Sequence, residues 1–261
     1  MTPAALSHQV KALEERLGTP LFRRLPRGIA LADEGSALLP VLREAFDRIA
    51  EALGRFDGGV MREVLSVGAV GTFAVGWLLP RLPRFRQEHP FIDLRLSTNN
   101  NRVDLAAEGL DYGIRFGDGA WHGTEALLLF EAPSTPLCSP AVASRLKAPT
   151  DLAGETLLRS YRSDDWPDWF RAAGLPAPPL AGPVFDSSRV MVEAALQGEG
   201  VALAPASMFG RELGEGRLVR PFEAQAVTGS YWLTRLKSRE RTEAMQTFED
   251  WLLGQAAVSS D

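Results

Sequence analysis

The spacing of apolar residues divides the chain into two regimes. In residues 2–18, TPAALSHQVKALEERLG, Leu6, Val10, Leu13 and Leu17 are four, three and four apart, so they share one face of a helix. Thr2 suits the N-cap, Pro3 the first helical position and Gly18 the stop. Ser7, His8 and Lys11 lie off the apolar stripe. In residues 19–31, TPLFRRLPRGIAL, the period is broken by Pro20, Pro26 and Gly28, which predicts a short extended wing. A second helical period follows over 33–56. There Leu39, Leu42, Phe46, Ile49, Leu53 and Phe56 alternate spacings of three and four, a seam suited to dimerisation or to packing on its own domain. Gly58 and Gly59 read as a hinge.

Beyond the hinge, strand and helix patterns alternate. VLSVGAV (64–70), FIDLRLST (91–98), LDYGIRF (110–116), TPLCS, ETLLR, GPVFD, GVALAP and GSYWLTRL (229–236) read as strands. Helices are predicted from Phe73 to about Pro90, as a short piece in VDLAAEG, near 164–173 and 188–197, and near 240–253. This alternation predicts an α/β fold with mainly parallel sheets.

Composition narrows the function classes. The chain has 261 residues, 45% of them apolar, enough for a small domain joined to a larger one. No apolar run spans a bilayer and no signal-peptide core opens the chain. The one cysteine, Cys138, excludes an internal disulfide framework, reads as a small buried residue and fits a reducing cytoplasm. The net charge of −5 is uneven. Residues 1–31 carry Lys11, Arg16, Arg23, Arg24 and Arg27 against Glu14 and Glu15, a basic head on an acidic body. That asymmetry suggests a nucleic-acid-binding module joined to something else.

Enzyme signatures are absent: there is no P-loop, no G-x-S-x-G and no H-E-x-x-H. GDGAWHG fails the dinucleotide fingerprint because His122 replaces its third glycine. His8, His89 and His122 have no metal-ligand spacing, so neither metal nor cofactor is expected. Two strand-to-helix junctions carry better chemistry. VGAVGTF places Gly71 and Thr72 where free backbone N–H groups and a hydroxyl meet a carboxylate or phosphate, although Thr72 alone would also serve as a helix cap. VFDSSRV repeats the arrangement with Asp186, Ser187 and Ser188, and on two lobes the junctions would face each other across a cleft. Asp104 opens a short helix, where its charge favours the dipole. Tyr231 and Trp232 alternate faces of one strand, so one ring is expected in the core and the other is free to reach the cleft.

The stretch AALSHQVKALEERLGTPLFRR…RGIAL…EG resembles the winged helix-turn-helix of LysR-type transcriptional regulators. The remainder is similar to their two-lobed effector domain, which has a periplasmic-binding-protein-like fold. VGTFAVGWLLP, LSTNNNRVDLAAEGLDYGIRFGDGAWH, PLCSP, LLRSYR, VFDSS and GSYWLTRL bring the resemblance nearest to the branch that regulates inducible chromosomal β-lactamases. LysR-type regulators of the glycine-cleavage branch, sensing another small molecule, are the alternative. A solute-binding protein or an enzyme of this fold leaves residues 1–58 unexplained.

The resemblance implies a partial winged helix-turn-helix at 1–31, a linker and dimerisation helix at 32–58 and an effector domain at 61–256. Its lobe I would be about 61–132 with 230–256, and its lobe II about 133–229. About two helices normally precede the recognition helix, so an internal GTG read as the initiator is expected to explain the start at Met1. Ser7 and His8 would approach base edges, with Pro3 and Ala4 offering apolar contact. Lys11, Arg23 and Arg24 would meet phosphates, and Arg27 the adjacent minor groove. The implied partners are promoter DNA, a second copy in a dimer or tetramer, and a muropeptide or UDP-muramyl pentapeptide, with no membrane. Thr72, Ser188 and Tyr231 are the implied effector contacts. Gly71 and Asp104 are positions where substitution is expected to alter signalling.

Overall fold

In the computed structural model, residues 3–25, 28–54, 62–101, 103–162 and 165–258 are described. The chain divides into two compact units, residues 1–62 and 63–261. The first contains α1 (Pro3–Leu17), β1 (Phe22–Leu25), β2 (Gly28–Leu31) and α2 (Asp33–Gly54). Gly18 stops α1 at φ +72°, returning its N–H to the Glu14 carbonyl at 2.9 Å. The Glu14 carboxylate accepts the N–H groups of Leu21 and Phe22 at 2.7 and 3.1 Å, tying the helix to the wing. β1 and β2 form an antiparallel hairpin with Phe22 opposite Leu31.

Leu13 and Leu17 of α1 are exposed, as are Leu39, Leu42 and Ile49 of the α2 seam. Other positions to which the sequence pattern gives a role, Thr2, Pro26, Arg27, Phe56, Gly58 and Gly59, lie outside the described residues. So do the side chains of Pro3, Ala4, Leu6, Arg24, Phe46 and Leu53.

The second unit holds two sheets. The five-stranded sheet runs β4-β3-β5-β11-β6, built from β3 (Glu63–Val70), β4 (Ile92–Asn99), β5 (Tyr112–Gly117), β6 (Thr124–Glu131) and β11 (Ser230–Leu236). The four-stranded sheet runs β7-β10-β8-β9, from β7 (Ser134–Leu137), β8 (Leu157–Ser160), β9 (Val184–Phe185) and β10 (Val201–Pro205). The chain passes from the first sheet to the second between β6 and β7 and returns between β10 and β11. Each sheet is mixed rather than parallel throughout. β3 pairs in parallel with β4 and β5, and β8 with β9 and β10, but β11 is antiparallel to β5 and β6, and β7 to β10. The return strand β11 inserts between β5 and β6 against their direction, which the pattern of any single strand does not reveal.

Two predicted helices differ. The helix expected from Phe73 to Pro90 breaks into a short α-turn α3 (Gly71–Phe73), a π-helical turn (Ala74–Leu78) and α4 (Leu82–Glu88). Pro80 follows the π-turn, and its missing N–H cannot continue the helical ladder. The segment after Val103 forms successive turns rather than a helix, held by Asp104 Oδ1 accepting the Ala106 and Ala107 N–H groups at 3.0 and 3.1 Å. The strand β6 is not among the expected strands. Its run ALLLF lacks a clear two-residue alternation.

The sheets are packed through the helices α5 (Pro140–Ala143), α6 (Asp165–Ala172), α7 (Ser188–Leu196), α8 (Gly210–Gly214) and α9 (Glu243–Val258). One core cluster joins Phe73, Trp77, Phe85 and Phe248 beside the first sheet to Met191, Val192, Met208 and Phe209 beside the second. A second cluster surrounds Trp166, Trp169 and Phe170 under the four-stranded sheet.

Candidate functional site

The C-terminal ends of β3, β4, β5, β8, β9 and β10 converge on one cleft between the sheets. In α/β folds this edge is where ligands bind, because the strand ends leave backbone groups and loops free to converge. Gly71 and Thr72 enter from the end of β3 and Asn99, Asn100 and Asn101 from the end of β4. Phe116 comes from β5. The other wall carries Tyr161 and Arg162 after β8, Asp186, Ser187 and Ser188 after β9, and Pro205 at the end of β10. Tyr231 lies at the start of β11, which runs antiparallel to β5 and therefore reaches the same edge. The enclosed space is about 40 Å³, so the cleft as it stands admits one small group rather than a whole sugar–peptide.

The two junctions read from the sequence therefore face each other. Val70, not Thr72, precedes α3, and no side-chain bond caps that helix. Ser187 precedes α7 and also makes no side-chain cap bond. Among the described residues, the hydroxyls of Thr72, Ser188 and Tyr231 have no hydrogen-bond partner.

Tyr231 occupies both places that strand alternation divides between two rings. Its side chain is 2% exposed, packed against Phe73, Phe116 and Phe130 with centroids 5.1, 5.0 and 5.6 Å away, and it floors the cleft. Burial pushes its phenol well above the ordinary tyrosine range, against the pull of the Arg162 charge, so it remains a neutral donor. The register with β6 shifts between Tyr231 and Trp232, leaving Leu129 of β6 as the extra residue opposite them. Trp232 turns away and donates its indole N–H to the Gly117 carbonyl at 3.0 Å.

Several lining residues are not singled out by the sequence pattern. Asn101 adopts φ +74° and brackets Phe116, donating to its carbonyl at 2.7 Å and accepting its N–H at 2.8 Å. The same amide reaches the Tyr161 hydroxyl at 3.4 Å, and Asn100 donates to Asp186 at 3.2 Å, so two amides span the cleft. The Arg162 guanidinium sits over the Phe116 ring, 4.4 Å from its centroid. The usable signal is the polar run NNN and the SYR triplet, each directly at the end of a strand.

Gly71 borders the cleft, and a β-carbon there would meet no protein atom within 4 Å. A larger residue at 71 thus enters cleft space instead of straining the fold. Asp104 does not line the cleft. It is exposed and caps its turn, and its charge opposes the burial that lowers the Arg115 guanidinium. Arg115 precedes Phe116 on β5 and holds the Val103 carbonyl at 2.8 Å. In the first unit Ser7, His8, Lys11 and Arg23 are exposed. Among the described residues there is no cluster of His, Cys, Asp and Glu fit for a metal, and no helix long and apolar enough to cross a membrane.

Residues 58–257 match the LysR substrate binding domain, and residues 1–36 the helix-turn-helix of bacterial regulatory proteins of the lysR family. The chain is 66% identical to the HTH-type transcriptional activator AmpR of Pseudomonas aeruginosa, over all of this chain and 88% of that protein. It is 49% identical to a carbapenem-hydrolyzing β-lactamase transcriptional activator of Enterobacter cloacae, over 97% of this chain and 86% of that one. The solved effector domain of the Pseudomonas aeruginosa regulator superposes with a TM-score of 0.74 at 66% identity, covering 76% of this chain and 98% of that domain. CrgA of Neisseria meningitidis shares the fold at 22% identity, TM-score 0.62, over 98% of this chain and 90% of its own. A basic head with a helix and wing, followed by a two-sheet domain with a polar cleft, thus matches one family along nearly its whole length: the chain belongs to the LysR family of bacterial transcriptional regulators.

Proposed function

We propose that this regulator controls transcription of a β-lactamase gene in response to a peptidoglycan fragment bound in the cleft. Support comes first from the Enterobacter cloacae relative, whose name gives activation of β-lactamase transcription as its role. The observation that carries the cleft assignment is the meeting of Thr72, Ser188 and Tyr231, three hydroxyls without partners among the described residues, from three separate strand ends. Muropeptides offer many carboxylates and amides, which suit a cleft of hydroxyls and amides better than an apolar pocket. Gly71 would act through steric access, and Asp104 through Arg115, the residue beside Phe116.

In this reading residues 1–31 are the DNA-reading head, 32–58 the dimerisation helix and 61–256 the sensor. Ser7 and His8 face base edges, with Pro3 and Ala4 beside them. Lys11, Arg23 and Arg24 hold phosphates and Arg27 enters the minor groove. The chain works as a cytoplasmic dimer or tetramer, without a cofactor and without catalysis of its own. A ligand shifts the regulator only by binding its two states unequally.

The test is a gel shift on DNA upstream of the gene and of its neighbour, with and without a muramyl tripeptide, beside direct titration of that peptide. Tyr231 is part of the core, so Tyr231→Phe, which removes the hydroxyl alone, is combined with Thr72→Val. Loss of two hydrogen bonds of about 1 kcal/mol each weakens binding roughly tenfold or more. An unchanged affinity removes the site assignment. Tight binding of some other small metabolite in place of the peptide favours the glycine-cleavage branch.

A further inference from the structure

Among the described residues, the buried side-chain atoms of the cleft that lack a hydrogen-bond partner are all donors: Arg162 Nε and Nη1, and Asn99 Nδ2. Buried donors left unsatisfied are costly, those on a charged group most of all, and here two nitrogens of a side chain that is otherwise 29% exposed are in that state. Arg162 is also the one cation among the described residues lining the cleft. Asp165 forms an ion pair with Nε at 3.7 Å, longer than a hydrogen bond, and the same oxygen accepts the Ser160 hydroxyl at 2.5 Å. The other carboxylate at the cleft, Asp186, is held by the Asn100 amide. The guanidinium plane is flanked by aromatic carbon, over Phe116 at 4.4 Å and Tyr161 at 5.7 Å, which strips water from it.

We propose that Arg162 receives a carboxylate of the bound ligand and makes the site discriminate a free acid from its amide. The inference rests on the cleft being the effector site and deepens that reading by naming the group recognised there. The residues that carry these unspent N–H donors, Arg162 and Asn99, line the same cleft as the Thr72, Ser188 and Tyr231 hydroxyls. A carboxylate supplies two acceptor oxygens and a charge opposite to that of Arg162, whereas a primary amide supplies one acceptor, carries no charge and would have to place its own N–H donors on acceptors such as Asp186. The enclosed space fits a terminal carboxylate with a short side chain, leaving the rest of a larger ligand outside.

The experiment titrates the full chain by calorimetry with a muramyl tripeptide and with the same compound carrying primary amides in place of its carboxylates. The same pair of measurements is made with N-acetyl dipeptide acids and their amides, for wild type, Arg162→Gln and Arg162→Lys. Wild type is expected to prefer acids at least tenfold. Arg162→Gln should bind acid and amide alike at the weaker level, and Arg162→Lys should recover part of the preference. Thermal unfolding of each variant checks that it is folded. If Arg162→Gln keeps the full preference, or wild type shows no carboxylate-dependent binding to any probe, the assignment is overturned. If acid-dependent binding is lost in Arg162→Gln for the dipeptides but the muramyl compounds do not bind, Arg162 keeps its role and the muropeptide reading fails alone.

Discussion

Gly76 and Met208 approach so closely that a β-carbon on Gly76 would stand 2.0 Å from the Met208 carbonyl oxygen. Gly76 belongs to the π-helical turn that follows α3, and Met208 to the short helix that follows β10, on the other side of the cleft. The turn after Thr72 is thus seated directly on the opposite lobe. Backbone cannot give way as a side chain can, so even one methyl forces the two segments apart. Gly76→Ala is expected to destabilise the effector domain by about 1–3 kcal/mol, as overpacking does. Thermal unfolding measures it, and a melting temperature equal to wild type would show that the lobes separate freely here.

At Gly71 the opposite outcome is expected. A side chain there meets no protein within 4 Å and borders the cleft. Gly71→Val should leave the melting temperature within a degree or two while weakening the cleft ligand severalfold. A drop in stability as large as that of Gly76→Ala would mean that the added methyls strike protein rather than cleft space.

Acid should unfold the effector domain through its paired carboxylates. Burial raises the Glu212 carboxyl, but its backbone hydrogen bond and Arg189, at 2.8 Å, outweigh this and hold it below the ordinary range. The Arg145 hydrogen bond lowers Glu155, and the Ala148 and Lys147 N–H groups lower Asp151. A depressed native value adds stability that is complete above the unfolded value, about 4 to 4.5, and is lost as pH falls through the native one. Melting temperature should therefore hold down to about pH 5 and fall below it. Glu212→Gln should start lower at pH 7, leaving Arg189 unpaired, and lose less on acidification. Parallel curves for the two proteins would remove Glu212 from the acid response.

The thiol of Cys138 should be inert in the folded protein. Burial, with a smaller push from Glu155, raises it to about 11, against the opposing Arg145 charge. The native value exceeds the unfolded one of about 8.5, so any stability from this shift is present below the unfolded value and is lost as pH rises through the native one. A thiol reagent at pH 8 should titrate one cysteine after denaturation and react far more slowly before it. Rapid reaction of the native protein would place Cys138 in an open, thiolate-stabilising environment.

Much of the fold is legible locally because periodicity is a short-range signal. The α1 stripe from Leu6 to Leu17, its Gly18 stop, the FRRL and GIAL wing, and the strands VLSVGAV, FIDLRLST and GSYWLTRL follow from residue spacing and turn formers alone. So do two hydroxyl-bearing strand ends, since Thr72 and Ser188 each stand at a strand-to-helix junction. Tertiary structure decided what no local pattern encodes. It inserted β11 antiparallel between β5 and β6, split the helix after Gly71 around a π-turn, and made Tyr231 both core and cleft floor. It also placed Arg162 over Phe116, residues 46 positions apart in the sequence whose contact exists only once two sheets have packed. Side-chain spacing determines which face an element buries. Which elements meet, and which donors are left without partners where they meet, depends on the packing of the whole domain.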